Sequence, residues 1–567
     1  MSVHVFSAVR SFLAIRRVSW GVAAVGLLAA CGDTVTENDP DDMMPAGPAP
    51  VATVRVSPDS VSLFVGGTAP LVAALFDASG TTLADRTVTW TVTDAAVASV
   101  SDSGIVTAMA PGVALVVAAS EGIGDTATIT VQTPQAPGTI SITTGPSDVR
   151  QGDVVTYAAT GQDGDGNPWT GAQVNWLLVP ATAGLLTADG SFVGYAAGTA
   201  SIVAAVPGAA DTLDVTITAR GLSGSFSVVG RGPVTDRWTS DLWVYGDYAY
   251  TGTWSNRGGV PGNTVYVWNI SVPSAPVLTD SVIVNASTTN DVKVRADGAI
   301  AVVTHEGSSD GLNGITLLDL TNPASPTVIT RFTTLLTGGV HNVWIEGDYV
   351  YAATDGSGLQ IIDVTTPATP AVVAAFFAGS SSVHDVYVRD GLAFVSHWNA
   401  GLIILDVGNG IASGSPGDPV EVGRIVTAGG QTHNAWYWPD AGYVFVGEED
   451  PGTPGIIHVV DVADLANPKE VATFASPGTT PHNFWLDESQ GILYVGWYEN
   501  GVRAIDVSGT LLGQLERQGR EIVGLRYETG GACVVSAATC TWAPQLHNGR
   551  IFVSDLNSGL WVLEVSF

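Results

Sequence analysis

A short phrase of apolar residues that ends in an acidic or amide position recurs seven times in the C-terminal part of the chain. The copies read VYVWNIS, ITLLDLT, LQIIDVT, LIILDVG, IHVVDVA, VRAIDVS and LWVLEVS. Their acidic or amide positions are Asn269, Asp319, Asp363, Asp406, Asp461, Asp506 and Glu564, at intervals of 43 to 58 residues. Such a period suits four short strands per repeat, and a closed array of four-stranded sheets is a β-propeller. The sequence therefore predicts a seven-bladed β-propeller over residues 221–567.

Within one repeat the four strands can be ordered from the channel outward. HNVWIEG is predicted to be innermost and DYVYAAT second, followed by LQIIDVT and the outermost PAVVAAF. The last copy ends at Phe567 without an outermost strand, and residues 224–231, GSFSVVGR, are predicted to supply it. This closure would leave no exposed sheet edge, so truncation at either end should destabilise the whole ring.

The chain before the repeats alternates short Val/Thr/Ala-rich runs with turn residues. Two successive stretches, 51–133 and 137–219, share this pattern, with Trp90 and Trp176 in corresponding strands. Strands at this spacing predict small antiparallel sandwiches. The composition agrees, because 46% hydrophobic residues together with 67 Gly and 30 Pro indicate a folded chain rich in turns. The predicted fold is all-β, with two Ig-like β-sandwiches followed by the propeller.

Two family resemblances support this organisation. Residues 51–133 resemble the group 2 bacterial Ig-like domain through VRVSPDSVSLFVGGTAPLVAALFDASG, the strand VTWTV and VASVSDSGIVTAMAPGVALVVA. Residues 137–219 look like a second, divergent copy. The repeats resemble the LVIVD repeat family, as in LLDLTNPASPTVITRF and VVDVADLANPKEVATF. The resemblance implies that both Ig-like modules are spacers or adhesive stalks and not catalysts.

The N-terminus has the pattern of an export signal. Arg10, Arg16 and Arg17 precede the apolar stretch WGVAAVGLLAA, which is too short to span a bilayer. The tetrapeptide LAAC at 28–31 resembles the lipobox of bacterial lipoproteins, which implies cleavage after residues 1–30 and a lipid on Cys31. An ordinary signal peptide is the alternative. Residues 31–50 are predicted to form a flexible tether. We expect an exported lipoprotein of the outer membrane or cell surface.

Two cysteines remain after Cys31. Cys533 and Cys540 form an even pair in an exported chain, which is most simply one disulfide. A metal or redox role is the alternative reading, but a closed zinc site needs four ligands.

Histidines recur at one position of the predicted innermost strands. Aligning the repeats gives Ser240, Asn290, His341, His384, His433, His482 and Trp542. These residues should lie at one mouth of the central channel, together with the ends of the second strands. The second-strand ends contribute five candidate binding residues: His305, Asp355, His397, Glu448 and Glu499.

Two hypotheses explain the recurring histidines. His341, His384, His433 and His482 could hold a divalent transition metal such as Zn, Cu or Fe, because neutral imidazole is a common ligand for these ions. Alternatively, each histidine bonds to backbone groups of the neighbouring blade, as polar equivalents such as Ser240 and Asn290 could also do. The two hypotheses can each be true at different blades of the propeller.

Charge and motifs restrict the function classes. The 21 basic and 53 acidic residues give a net charge of −32, which excludes nucleic acid as a partner. We expect a surface protein, joined to the membrane only by its N-terminal lipid, whose propeller binds or adheres to a surface glycan or protein. The alternative is a metal-dependent propeller enzyme with the four histidines as ligands, and a structural envelope protein is the third possibility.

Overall fold

The described part of the chain is built from strands. The computed structural model describes residues 49–567 except 85, 134–137, 165, 170–172, 380–381, 450–454, 528–532 and 534–538. The described residues contain no α-helix, and their single-turn 3-10 helices are Ala181–Ala183, Pro439–Ala441 and Leu515–Arg517. The all-β fold class predicted from the sequence is therefore confirmed. The chain divides into two compact units, Met1–Gln132 and Thr133–Phe567.

The first unit is a β-sandwich of nine strands. Strands β1 to β9 are Thr53–Ser57, Ser60–Phe64, Thr68–Pro70, Val72–Phe76, Thr89–Val92, Ala98–Val100, Ile105–Ala108, Gly112–Ser120 and Ile123–Gln132. A four-stranded sheet has the order β2-β9-β8-β5, a three-stranded sheet the order β3-β7-β6, and β1 pairs with β4. Val116, Ala118 and Ile129 are fully buried between the sheets, as the alternation of small apolar and polar residues requires.

The second unit begins with a sandwich of the same topology. Strands β10 to β18 are Thr139–Thr144, Asp148–Arg150, Val154–Thr156, Ala158–Gln162, Asn175–Val179, Gly184–Leu186, Ser191–Gly194, Gly198–Val206 and Ala209–Thr218. The sheet orders β11-β18-β17-β14, β12-β16-β15 and β10-β13 repeat those of the first sandwich strand for strand. The divergent sequence of residues 137–219 therefore encodes the same pairing.

Seven sheets follow in the described residues, and each contains four antiparallel strands, which are consecutive in the chain in sheets 2 to 5. From the inner to the outer strand, sheet 1 is Trp238–Tyr245, Tyr248–Trp254, Thr264–Asn269 and Val277–Ile283. Sheet 2 is Val292–Val294, Ile300–His305, Gly314–Asp319 and Thr327–Phe332. Sheet 3 is Val340–Glu346, Tyr349–Thr354, Gly358–Asp363 and Ala371–Phe376. Sheet 4 is Asp385–Arg389, Leu392–His397, Gly401–Asp406 and Val420–Ile425.

Three further sheets complete the set. Sheet 5 is Thr432–Trp438, Tyr443–Glu448, Ile456–Asp461 and Lys469–Ala475, with Gly513–Gln514 added in parallel at its outer edge. Sheet 6 is Phe484–Asp487, Ile492–Gly496, Val502–Asp506 and Glu521–Leu525. Sheet 7 is Thr541–His547, Arg550–Asp555, Gly559–Ser566 and Ser225–Pro233. A two-stranded ribbon, Asn256–Arg257 with Val260–Pro261, lies in a loop of sheet 1.

The sheets close into a ring. Each innermost strand packs beside the innermost strand of the next sheet, and the innermost strand of sheet 7 packs beside that of sheet 1. The pairing that joins the two ends of the ring is also present, because Ser225–Pro233 runs antiparallel to Gly559–Ser566, with Ser225 opposite Ser566. Apolar clusters fill the spaces between successive sheets.

The recurring acidic or amide residue makes a turn at the end of the third strand. In sheet 2, Asp319 accepts a hydrogen bond from the backbone N–H of Thr321 at 2.7 Å, and Asp363 does the same for Thr365 at 2.8 Å in sheet 3. The Thr321 hydroxyl also donates to Asp319, at 2.5 Å, and this bond together with the backbone one lowers the pKa of Asp319 below its usual value. The residue that identifies the repeat in the sequence is therefore a turn-forming residue and not part of the channel.

Two buried arginines fasten the second sandwich to the ring. Arg220, just after β18, places Nη2 at 2.6 Å from Asp506 in sheet 6 and Nη1 at 2.9 Å from Asp153. Arg520 donates to the carbonyl of Gly152 at 2.6 Å and to that of Ser508 at 3.0 Å. Within the second compact unit, the sandwich and the ring thus share an interface of charged, hydrogen-bonded groups.

Candidate functional site

Four histidines and a tryptophan form a continuous arc around the channel mouth. Successive ring centroids are 4.4 Å apart for His341 and His384, 4.3 Å for His384 and His433, and 4.3 Å for His433 and His482. The Trp542 ring continues the arc at 4.3 Å from His482. We call the seven aligned residues the histidine layer: Ser240, Asn290, His341, His384, His433, His482 and Trp542. The structure brings together the four histidines selected from the sequence.

Irregular strand pairing directs these side chains. The pairing register shifts between Val340 and Asn342, again between Thr432 and Asn434, and a third time between Thr541 and Ala543. The residue skipped in each case belongs to the histidine layer. A β-bulge leaves one residue unpaired and re-aims its side chain, and bulges are common beside functional sites. The side chains of His341, His433 and Trp542 therefore do not follow the regular alternation between the two faces of the strand.

Part of the histidine layer has the structural role that the second hypothesis predicts. His384 donates from Nδ1 to the carbonyl oxygen of His433 at 3.0 Å, and His482 donates from Nδ1 to that of Trp542 at 2.9 Å. Asn290 makes an equivalent bond to the carbonyl of His341 at 3.2 Å. Because a carbonyl oxygen can only accept, Nδ1 carries the proton in His384 and His482, and Nε2 keeps its lone pair.

His433 differs from its neighbours. Its side chain is 1% exposed, yet neither ring nitrogen reaches a described residue in normal hydrogen-bond geometry, and a side-chain contact with Asn434 only partly offsets the effect of burial on its pKa. Its Nε2 atom lies 3.7 Å from Oε2 of Glu449, beyond hydrogen-bond distance. Burial lowers the pKa of His433 well below its usual value, with further lowering by His482 and His341, so the ring is neutral at pH 7. Buried polar atoms without a partner are uncommon and call for an explanation.

His341 is the charged member of the arc. Its Nδ1 atom lies 2.6 Å from Oε1 of Glu306. Burial by itself would lower the pKa of His341, but the Glu306 carboxylate outweighs it and raises the pKa to about 9. Burial lowers the pKa of His384 and of His482 well below the usual value. The arc at pH 7 thus contains one imidazolium and three neutral imidazoles.

Two adjacent residues lie at the end of the second strand of several sheets, as in His305-Glu306 and His397-Trp398. In each such pair, only one of the two side chains faces the mouth. The mouth-facing residues contact the arc: Glu306 pairs with His341, the Trp398 ring lies 4.9 Å from that of His384, and the Tyr498 ring lies 5.0 Å from that of His482. Asp355 is exposed there. In sheet 1 the corresponding Trp254 contacts the Trp542 ring at 6.1 Å.

The preceding residue of each pair points into its own sheet or towards a neighbouring one. His305 is buried and hydrogen-bonded to Thr316 at 2.8 Å, and burial lowers its pKa to about 4. His397 is also buried, and Glu448 is buried with Oε2 at 3.6 Å from Nε2 of His458. The structure therefore does not bring these three candidates to the arc. Side chains alternate along a strand, so a shift of one residue exchanges the two faces.

Glu499 holds a neighbouring loop. Its carboxylate accepts hydrogen bonds from the Thr479 hydroxyl at 2.9 Å and from the backbone N–H of Cys533 at 3.2 Å. Cys533 is joined to Cys540 by a disulfide, so these cysteines are not free to bind a metal. Cys31, the predicted lipidation site, lies outside the described residues.

Glu449 completes the most compact donor group at the mouth. One donor atom from each of His384, His433 and Glu449 lies within 4.8 Å of the other two. The Tyr498 hydroxyl donates a short hydrogen bond to Oε1 of Glu449. Burial raises the pKa of Glu449 above its usual value. The sequence placed four further residues at this face beside the candidate binding residues, but they were not among the candidates themselves: Glu306, Trp398, Glu449 and Tyr498.

Two further layers fill the channel below the arc. Lys293 makes ion pairs with Asp241 at 3.0 Å and with Asp291, and its ammonium lies 5.2 Å from the Trp243 ring. A circuit of aromatic side chains lies around it: Trp243, Trp344, Tyr387, Trp436 and Trp485, with neighbouring centroids 4.6 to 6.0 Å apart. They leave a cavity of about 50 Å³.

Comparison with known families gives a match in each of the two compact units. Residues 50–131 match the bacterial Ig-like domain (group 2), and residues 236–284, 309–334, 337–376 and 380–427 match the LVIVD repeat. The protein carries a group 2 bacterial Ig-like domain followed by LVIVD repeats. The resemblances seen in the sequence are thereby confirmed for residues 50–131 and for the repeats between 236 and 427. Domains of the two families are typical of extracellular or surface proteins, and together they point to a surface-binding or adhesion-type module.

Two of the arc histidines, His341 and His384, lie in matched LVIVD repeats. A search of curated proteins found no match to the chain. Among the described residues, no helix is long and apolar enough to cross a membrane.

Proposed function

We propose that this protein is a lipid-anchored surface protein that binds a surface glycan through the mouth of its LVIVD-repeat ring. The two families support a surface-binding module, and the lipobox-like sequence ending at Cys31 supports attachment through an N-terminal lipid. The Ig-like domains act as spacers in this proposal, which places the ring at a distance from the membrane.

One observation carries the choice of binding surface. The mouth presents three half-buried aromatic side chains, Trp254, Trp398 and Tyr498, beside two half-buried carboxylates, Glu306 and Glu449. Aromatic faces offer apolar contact area, while carboxylates accept hydrogen bonds from hydroxyl groups. This combination suits a sugar, which has an apolar face and many hydroxyl donors.

Binding of the purified protein to an array of bacterial surface glycans tests the proposal. The double variant W254A/W398A should lose binding at least tenfold, because both aromatic faces are removed. Y245A is the matched control. Tyr245 is an exposed aromatic residue on the innermost strand of sheet 1, Trp238–Tyr245, at the end of that strand away from the mouth. Equal glycan binding by W254A/W398A and Y245A, or binding only to a protein partner, would contradict a glycan-binding mouth.

The anchor requires a separate experiment. The C31S variant should move from the membrane fraction to the soluble fraction and lose labelling by radioactive palmitate. The wild-type chain and an S19A variant, changed within the predicted signal peptide, should both keep the label. A C31S chain that still carries the label would refute the lipid anchor without affecting the glycan-binding proposal.

A further inference from the structure

We propose that the channel mouth binds a divalent transition metal through His384, His433 and Glu449. The site shares Glu449 with the proposed glycan-binding mouth, but it goes beyond that function, because metal binding does not depend on which partner the surface recognises. One donor atom from each residue lies within 4.8 Å of the other two, across sheets 4 and 5. Sequence separation hides this grouping, since Glu449 lies at the end of the second strand of sheet 5.

His433 is the strongest reason to infer a ligand. The His433 imidazole is 1% exposed and has no described residue in normal hydrogen-bond geometry at either ring nitrogen, so burial costs both atoms the hydrogen bonds they would make with water. A metal on Nε2 would use one of these lone pairs. The carboxylate of Glu449 is already 3.7 Å from Nε2, and tetrahedral zinc bonds of about 2.0–2.1 Å would place two such donors roughly 3.3 Å apart.

The other two ligands are held in the orientation that metal binding needs. His384 donates its Nδ1 proton to the carbonyl of His433 at 3.0 Å, which leaves Nε2 as the donor atom. Tyr498 hydrogen-bonds to Oε1 of Glu449, which leaves Oε2 to face His433. Hydrogen bonds of this kind, made by the non-ligating atom of each ligand, fix ligand geometry in metal sites.

The ligand types define the class of ion. Two imidazoles and one carboxylate suit Zn, Cu(II), Ni or Fe(II), whereas Ca and Mg prefer oxygen donors throughout. No thiolate belongs to the group. Three protein ligands leave at least one coordination position for water or an external ligand. His384 and Glu449 are both partly exposed, so this position is open to the mouth.

His482 supplies a matched control. It belongs to the same arc and makes the same Nδ1 hydrogen bond to a carbonyl, at 2.9 Å to Trp542, but it is not one of the three grouped donors. H482L should therefore disturb the arc as much as H384L does, without removing a ligand. E449Q changes a partly exposed residue and tests the site without altering the buried imidazoles.

The full chain, purified without an affinity histidine tag and stripped with chelator, is titrated with Zn(II), Cu(II) and Co(II) salts. We expect one ion per chain by elemental analysis after dialysis, and a visible Co(II) spectrum of low coordination number. H384L, H433L and E449Q should weaken binding by about 100-fold or more, while H482L stays within about fivefold of wild type. Thermal unfolding of each chelator-treated variant identifies any that fail to fold.

Two results would overturn the proposal. One is the absence of bound ion in the folded wild-type chain. The other is equal binding by E449Q and wild type, which would place any ion elsewhere. Because the glycan assay uses variants of Trp254 and Trp398, failure of metal binding and failure of glycan binding are distinguishable.

Discussion

The histidine layer and the layers directly below it line the same channel, but they differ in how their ionisable side chains are satisfied. Below the arc, Lys293 stands between Asp241 and Asp291, and Gln545 forms two hydrogen bonds with the backbone of Val244 at 2.7 and 3.0 Å. In the arc, neither ring nitrogen of His433 reaches a described residue in normal hydrogen-bond geometry, and the Glu449 carboxylate lies 3.7 Å from Nε2. An ionisable side chain that is buried without a hydrogen-bond or ion-pair partner, more than polarity as such, therefore distinguishes the candidate site from the surrounding architecture.

The protonation states of the ionisable side chains also differ between the arc and the layers below it. Burial by itself would lower the pKa of the Lys293 ammonium, but Asp241 and Asp291 outweigh it, so the pKa lies above its usual value and the group stays charged. His433 and His384 are kept neutral. The lower layers therefore hold an ammonium ion paired with carboxylates, whereas this part of the arc holds neutral imidazoles.

Removal of Lys293 should give the largest effect. K293M leaves Asp241 and Asp291 buried without a counter-charge, and we expect a loss of about 3–5 kcal/mol in the free energy of unfolding. Urea unfolding monitored by tryptophan fluorescence measures it. The triple variant D241N/K293M/D291N should recover most of the loss. A K293M protein as stable as wild type would show that the lower layers are not held by this ion pair.

Loss of the Gln545 amide should have the next largest effect. Q545M keeps the length of the side chain but leaves the N–H and carbonyl of Val244 without their partner, at a cost of about 2–3 kcal/mol. The same unfolding assay applies, with M109Q in the first compact unit as a surface control expected to change stability by less than about 0.5 kcal/mol. A change below about 0.5 kcal/mol for Q545M would contradict the assigned role.

Two histidines of the arc should differ in metal-free protein. H384L removes the hydrogen bond to the carbonyl of His433 and should lower stability by about 1–2 kcal/mol. H433L removes a ring with no hydrogen bond and should be neutral within about 0.5 kcal/mol. Both are measured in the presence of chelator. Equal destabilisation by the two substitutions would place His433 with the architecture and not with the site.

The smallest effect concerns His305, which has a partner in Thr316. Its pKa falls from an ordinary value near 6.5 to about 4 on folding, mainly through burial. The unfolded chain therefore binds the proton first as the pH falls, so His305 lowers stability progressively from pH 6.5 towards 4. When the pH is lowered from 7.5 to 5.5, the free energy of unfolding of H305Q should fall by about 1 kcal/mol less than that of the wild-type protein. If the free energy of unfolding falls by the same amount in H305Q and in the wild-type protein, the lowered pKa of His305 is disproved.

Much of the fold could be predicted because its signals are local. The 43- to 58-residue period and the alternation of VYVWNIS-like phrases indicate four-stranded sheets, and the missing outer strand after Phe567 indicates closure by residues near 225. The paired topology of the two sandwiches follows from similar strand spacing. Each of these depends on side-chain periodicity, which is a property of the chain itself.

The candidate site was predicted less completely. Alignment of repeats was sufficient to bring His341, His384, His433 and His482 together, because equivalent positions of a ring lie at the same height. It could not decide which residue of His305-Glu306, His397-Trp398 or Glu448-Glu449 faces the mouth. Two neighbouring side chains on a strand point to opposite sides, and the choice depends on the pairing register with the adjacent strands.

By itself, the sequence determined the all-β architecture, the repeat and the level at which the histidines lie. Only the tertiary structure decided that Glu306 charges His341, that His384 gives its Nδ1 proton to a carbonyl, and that His433 lies unpartnered beside Glu449. The reason is physical: strand periodicity is set by neighbours along the chain, whereas burial, protonation and metal-ligand grouping depend on atoms that approach only when bulged strands from different sheets meet.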